Sequence, residues 1–191
     1  LQLMHTFRVA LVNDLDQERT KNIMKSLIKI GLVCAISIVN QAVQAADKNK
    51  AVEQARETVR MLDDIYKTAV VLITDVYVED EDSFPAGKAA KALFRAVKKK
   101  GWPETRLIDV SGEPYNDNNI AKDDFEKQAI KKLKQGKSSF DKVEEIDGKR
   151  VLRAATAVPI VHKKCVLCHE NYKEIAEGVA VGALIYTVKL K

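Results

Sequence analysis

The chain has 191 residues, 46% hydrophobic and 31% charged, with eight glycines and four prolines. That composition describes a globular domain with a real core and excludes a fibrous or low-complexity chain. The formal charge is +5, but five of the 32 basic residues (Arg8, Arg19, Lys21, Lys25, Lys29) and three of the 27 acidic ones (Asp14, Asp16, Glu18) precede residue 46, so the remainder carries only +3 and gives nucleic-acid binding no support.

Residues 1–23 begin with Leu and read as an extension upstream of Met24, outside the fold. Residues 24–45 have the pattern of a secretory signal peptide. Met24-Lys25-Ser26 and Lys29 give a positive start, Ile30 to Val39 an apolar run, and Val43-Gln44-Ala45 small residues before a cut. The apolar run is too short for a stable membrane span. Cys34, preceded by Gly31-Leu32-Val33, lacks a lipoprotein box and is read as part of the discarded leader. The expected product is a periplasmic or secreted domain over residues 46–191.

From Ala46 to about Val78 the spacing is helical, with Val52, Ala55, Val59, Leu62, Ile65, Ala69, Leu72 and Val76 forming one apolar stripe. Such a helix packs along a sheet or pairs with its copy in a homodimer. The acidic run Glu79–Asp82, with Ser83 and Pro85, reads as a solvated loop, because it lacks EF-hand spacing and the EF-hand glycine. Ala86 to Lys100 is a second helix, with Ala90, Leu93, Phe94 and Val97 inward and Gly101 as its stop. Trp102 to Val110 is a strand, and Ser111 to Asn119 is rich in turn residues. Asp123 to Gln135 is a short helix with Phe125, Ala129, Ile130 and Leu133 on one face. Ser138–Val143 and Arg150–Val161 are strands about a turn at Asp147-Gly148, and Val179–Lys189 is a last strand. Helices followed by antiparallel strands give an α+β domain.

Between the last two strands stands Cys165-Val-Leu-Cys168-His169. Two thiols three positions apart, followed at once by an imidazole, are the attachment pattern of a c-type haem. Each thiol adds to one vinyl group, and His169 is held under the iron as proximal ligand. A thioredoxin-like redox disulfide would follow the first strand of a βαβ unit, whereas this motif lies near the C-terminus. A zinc site would need four ligands, and the other candidates are Cys34, His5 and His162.

The order of smaller signals resembles the bacterial single c-haem PAS-like domains, the Tll-type haem domains long catalogued as a domain of unknown function. The residues that carry the resemblance are Lys100-Gly101-Trp102 with Arg106, the turn Asn116–Asn119, Phe125-Glu126, Asp147-Gly148-Lys149, Leu152-Arg153-Ala154, Val158-Pro159, Cys165–His169 and Gly182-Ala183. The resemblance implies a PAS-like antiparallel sheet with long N-terminal helices. It also implies covalent haem c on Cys165, Cys168 and His169, placed between sheet and helices, and a redox or sensory role. Some members supply a second axial ligand from a Cys ahead of the Gly-Trp pair, and this chain has no Cys between Ala46 and Lys164.

The candidate distal ligands are therefore Met61, His162 and Tyr66, alongside an open sixth position. An open position favours sensing of redox state or of NO, CO or O2, passed to a signalling partner. Two strong ligands favour an electron carrier, with Lys98–Lys100 and Lys163-Lys164 steering an acidic redox partner. A peroxidase would want a distal acid–base residue, and only His162 is at hand, so no enzymatic activity is expected.

Overall fold

The computed structural model of the chain describes residues 44–80 and 83–190. The extension 1–23 and all but the last two residues of the expected leader lie outside the described residues, as do Glu81 and Asp82 of the acidic run. The chain divides into a unit of residues 1–49, of which 44–49 are described and helical, and a unit of residues 50–191.

In the second unit helix α1 covers 50–77, and α2 (Ala86–Lys99) follows after the acidic loop. Strand β1 (Glu104–Asp109), helix α3 (Asp124–Lys134), strands β2 (Ser139–Ile146) and β3 (Lys149–Val158), the single turn α4 (Cys165–Cys168) and strand β4 (Gly182–Lys189) complete it. The four strands pair antiparallel in the order β1-β4-β3-β2. The β2–β3 connection is two residues, Asp147 and Gly148, both at positive φ, which matches the twist of a tight hairpin. The central strands β3 and β4 are buried on both sides, as a sheet covered by helices on each face requires. This is an α+β architecture consistent with a PAS-like domain.

On one face Leu152, Ala154, Leu184, Tyr186 and Val188 pack against Ala55, Val59 and Tyr66 of α1 and Ala90 and Phe94 of α2. On the other, Ile108, Ala155, Ala183 and Ile185 pack against Phe125, Ala129 and Leu133 of α3. The expected inward face of α2 is half right. Phe94 is buried but Leu93, one step round the helix, is exposed.

The single stripe expected on α1 does not hold along its length. Val52, Ala55, Val59 and Leu62 turn to the sheet, but Ile65, Leu72 and Val76 are 53%, 57% and 59% exposed, and Tyr66, Val70 and Thr74 take over the inner face. The stripe breaks its alternation of threes and fours at Val59-Leu62-Ile65, two successive steps of three. At 100° per residue these put Ile65 ~120° round the helix from Val59, whereas Tyr66, seven residues on from Val59, stays within ~20° of it. Asp63 secures the inner side at that crossover, accepting hydrogen bonds from Thr156 (2.5 Å) and Tyr186 (3.0 Å) and pairing with Lys67.

Opposite, a charged bolt ties α3 to the sheet. Asp123 caps α3 by accepting from the Glu126 amide at 2.9 Å, and Glu126 accepts in turn from the Lys122 amide at 2.7 Å. This is a capping box with its return bond one residue early. The buried Glu126 also pairs with Arg106 of β1, and Arg153 of β3 lies 2.7 Å from Asp123 and 4.3 Å over the Phe125 ring. Arg106, Phe125, Glu126 and Arg153, four of the residues that carry the resemblance, are thus one structural assembly.

Candidate cofactor-binding site

Residues 159–181 leave the sheet at the end of β3 and return at the start of β4. The base of this excursion is pinned by main-chain bonds. The Val181 amide donates to Val158, and the amides of Val110 and Ser111 both donate to Val181. Gly182 lets the strands close here, since a Cβ would lie 3.3 Å from the Ile108 carbonyl oxygen and force a small shift.

Within the excursion the motif forms one helical turn followed by a 3₁₀ turn at Glu170–Tyr172. The His169 amide donates to the Cys165 carbonyl at 3.1 Å, and the Tyr172 amide to that of His169 at 3.0 Å. Residues three apart on a helical turn share a face, so Cys165 and Cys168 present their thiols to one side. Both are free and half-buried.

His169 lies half-buried among groups the sequence reading missed. Tyr172 stacks parallel on the imidazole, with centroids 4.6 Å apart, and Tyr115 meets it edge-on at 5.5 Å. No described residue hydrogen-bonds either ring nitrogen. Burial lowers the His169 pKa below its ordinary value, against an opposing pull from the Asp109 carboxylate, so the ring is neutral at pH 7. The Tyr172 phenol is pushed up to about 12, chiefly by burial and then by the charges of Asp109 and Cys165. Asp109 is itself braced by Ser111 (2.6 Å) and the Gly112 amide (2.7 Å). Tyr172, three residues past His169, was legible as a neighbour of the ring. Tyr115 and Asp109 come from distant sequence and were not.

The other candidates lie elsewhere. His162 has both nitrogens engaged: Nδ1 accepts from the Lys164 amide at 3.1 Å, and Nε2 is 3.4 Å from an Asp75 oxygen. Lys164, expected as a steering charge, donates to the Asp75 carbonyl at 2.8 Å. Those contacts fasten the excursion to the end of α1. Met61 is 55% exposed, and Tyr66 is buried, edge-on to Phe94 and stacked on Tyr186. None of the three touches His169.

Set against the expected haem c, the donor set fits at its attachment points. Two free thiols stand on one turn, and the next residue is an imidazole with no hydrogen-bond partner among the described residues. Among the described residues no three His, Cys, Asp or Glu side chains gather to hold a metal ion. A cavity of about 800 Å³ lies between α1 and β2–β3, walled at one end by Pro159 and Glu177–Ala180. A second of about 670 Å³ lies beside Trp102, Ile146 and Lys189. Neither is lined by Cys165, Cys168 or His169. Among the described residues no helix is long and apolar enough to cross a membrane.

Comparison with curated proteins found no match. The family model described as Tll0287 (Tll0287-like) matches residues 36–183, a span that includes α1, α2, α3, strands β1 to β3 and the whole Cys165–His169 turn. The match agrees with the resemblance drawn from the residues themselves: the chain belongs to the Tll0287-like family.

Proposed function

We propose that the chain is an exported, single-haem c-type cytochrome that senses redox state or a diatomic gas (NO, CO or O2) and passes the signal to a separate protein. In this reading Cys165 and Cys168 hold the porphyrin through two thioethers and His169 is the proximal ligand. The bound haem supplies an iron that changes oxidation state and, where a position is open, takes a small ligand. The carrying observation is the contrast within one turn: two free thiols and a neutral imidazole, half-buried, with no hydrogen-bond partner for either ring nitrogen among the described residues.

The chain's own residues prepare that chemistry. Burial keeps the imidazole lone pair unprotonated. The parallel ring of Tyr172 and the edge contact from Tyr115 fix the imidazole plane, the part that second-sphere groups play for a ligating histidine. The three named distal candidates are exposed, engaged or packed away, which supports an open sixth position and hence the sensor. The alternative is a soluble periplasmic electron carrier. The exposed Leu167 and Lys163 beside the thiols favour it, since they leave the attachment edge accessible to a partner.

The test is expression with the native leader in a host that matures c-type cytochromes, followed by mass measurement and spectra with and without CO. A mass gain of one haem on the exported chain, with a ferrous spectrum that shifts on CO addition, is the expected result. Sharp low-spin bands indifferent to CO favour the carrier. A colourless exported chain without the mass gain overturns both readings.

A further inference from the structure

The outer face of α1 carries an apolar row that its own sheet does not cover: Met61, Ile65, Leu72 and Val76, each more than half exposed. Between the inner pair stand two small residues, Thr68 and Ala69. The row is symmetric about the point between them. Ile65 and Leu72 lie 3.5 positions to either side, and Met61 and Val76 lie 7.5 positions to either side. A heterologous partner has no need of that symmetry. A two-fold axis does, because an isologous interface must be complementary to itself.

We infer that α1 pairs with α1 of a second copy of this chain, antiparallel, about a two-fold axis at Thr68 and Ala69. Ile65 then packs on the partner's Leu72 and Met61 on the partner's Val76, while the small central residues let the two backbones approach. The spacing 65-69-72-76 is the 4-3-4 of a knobs-into-holes seam, so the occupant is a helix. Charge agrees with this pairing. Asp75, on the rim of the row, falls opposite the partner's Leu62 rather than another carboxylate. The contact spans 16 residues, ~24 Å of helix at 1.5 Å per residue. A contact of that length is small beside the ~1,200–2,000 Å² of specific interfaces, so the dimer is weak and concentration-dependent. The pairing also reaches the cofactor site. Asp75, between Leu72 and Val76, holds both His162 and Lys164 of the motif excursion.

The test is light scattering and sedimentation of the exported chain over a concentration series, with charge variants at exposed positions. Wild type is expected to dimerise in the high-micromolar range. Ile65→Lys and Leu72→Glu are each expected to weaken association at least tenfold, with the thermal midpoint unchanged as the check on folding. The double variant Ile65→Lys/Leu72→Glu is expected to regain the dimer, because antiparallel pairing sets each lysine against the partner's glutamate. Parallel pairing would set lysine on lysine, and a monomeric double variant therefore overturns the antiparallel axis. A wild type that stays monomeric at every concentration, or that associates equally well with Leu72→Glu, overturns the interface altogether.

Discussion

Two clusters of chemically capable side chains lie on this domain, and they treat their polar atoms in opposite ways. In the bolt between α3 and the sheet, Glu126 is almost fully buried and accepts from a guanidinium and a backbone amide, while Arg153 meets a carboxylate and an aromatic face. In the Cys165–His169 turn, two thiols and an imidazole are half-buried, and among the described residues the ring finds aromatic neighbours but no hydrogen bond. Among the bolt's buried side-chain atoms only the Arg153 Nε lacks a hydrogen-bond partner; the others are satisfied, because leaving one bare costs ~1–3 kcal/mol. The half-buried groups of the turn stay open to solvent, and they are the ones the proposed haem attachment would use. Both clusters carry the residues of the resemblance.

The sharpest break of that comparison is the double substitution Cys165→Ala/Cys168→Ala. Covalent haem is expected to be lost completely, as read by mass and by absorbance after acid–acetone extraction. The sheet should stay intact in far-ultraviolet circular dichroism, because neither thiol belongs to either apolar core. An apo chain that fails to fold would place the cysteines with the architecture instead. Glu126→Gln is the converse. It leaves Arg106 and Arg153 facing each other across a neutral amide, and removing one partner of a buried pair costs ~3 kcal/mol or more. At ~2–4 °C per kcal/mol for a domain of this size, the melting point should fall by ~6–12 °C while the haem content per folded molecule is unchanged.

The same division explains what the sequence disclosed. The motif is local, so Cys165, Cys168 and His169 were legible as a set, and so were the strands, which begin after Gly101 and Gly178 or turn at Gly148. The neighbours of His169 were not, because Tyr115 and Asp109 reach it only through the pairing of β1 with β4. His162 and Lys164 read as a ligand and a steering charge only while Asp75, 89 positions from Lys164, was out of view. The apolar stripe of α1 was seen, but its departure from the sheet at Ile65 needs the turn per residue as well as the spacing.

A smaller effect is expected where satisfaction is shared. Asp63 holds Thr156, Tyr186 and Lys67 at once, so Tyr186→Phe removes one of three partners and leaves the aromatic stack with Tyr66 in place. The cost should be ~1 kcal/mol, the net worth of one hydrogen bond, measured by urea unfolding. A cost above ~3 kcal/mol would mean that Asp63 depends on this one phenol.

The smallest effect is a pH dependence. Burial alone would push the Asp123 carboxyl up, but the Glu126 amide and the Arg153 guanidinium outweigh it and hold the group below its ordinary value. A carboxyl whose folded pKa is depressed binds protons more weakly folded than unfolded. Its contribution is therefore full above the unfolded value of ~3.9 and disappears as pH falls through the folded one. Since the side chain is 45% exposed, solvent screening limits the stabilisation to ~0.5 kcal/mol. Asp123→Asn should then lower stability slightly at pH 7 and flatten the acid limb below pH ~4, with the two unfolding curves converging as the wild-type carboxyl protonates. Curves that stay parallel into acid would assign the cap's worth to hydrogen-bond geometry, which asparagine keeps in part, and would remove charge from the account of how α3 is bolted to the sheet.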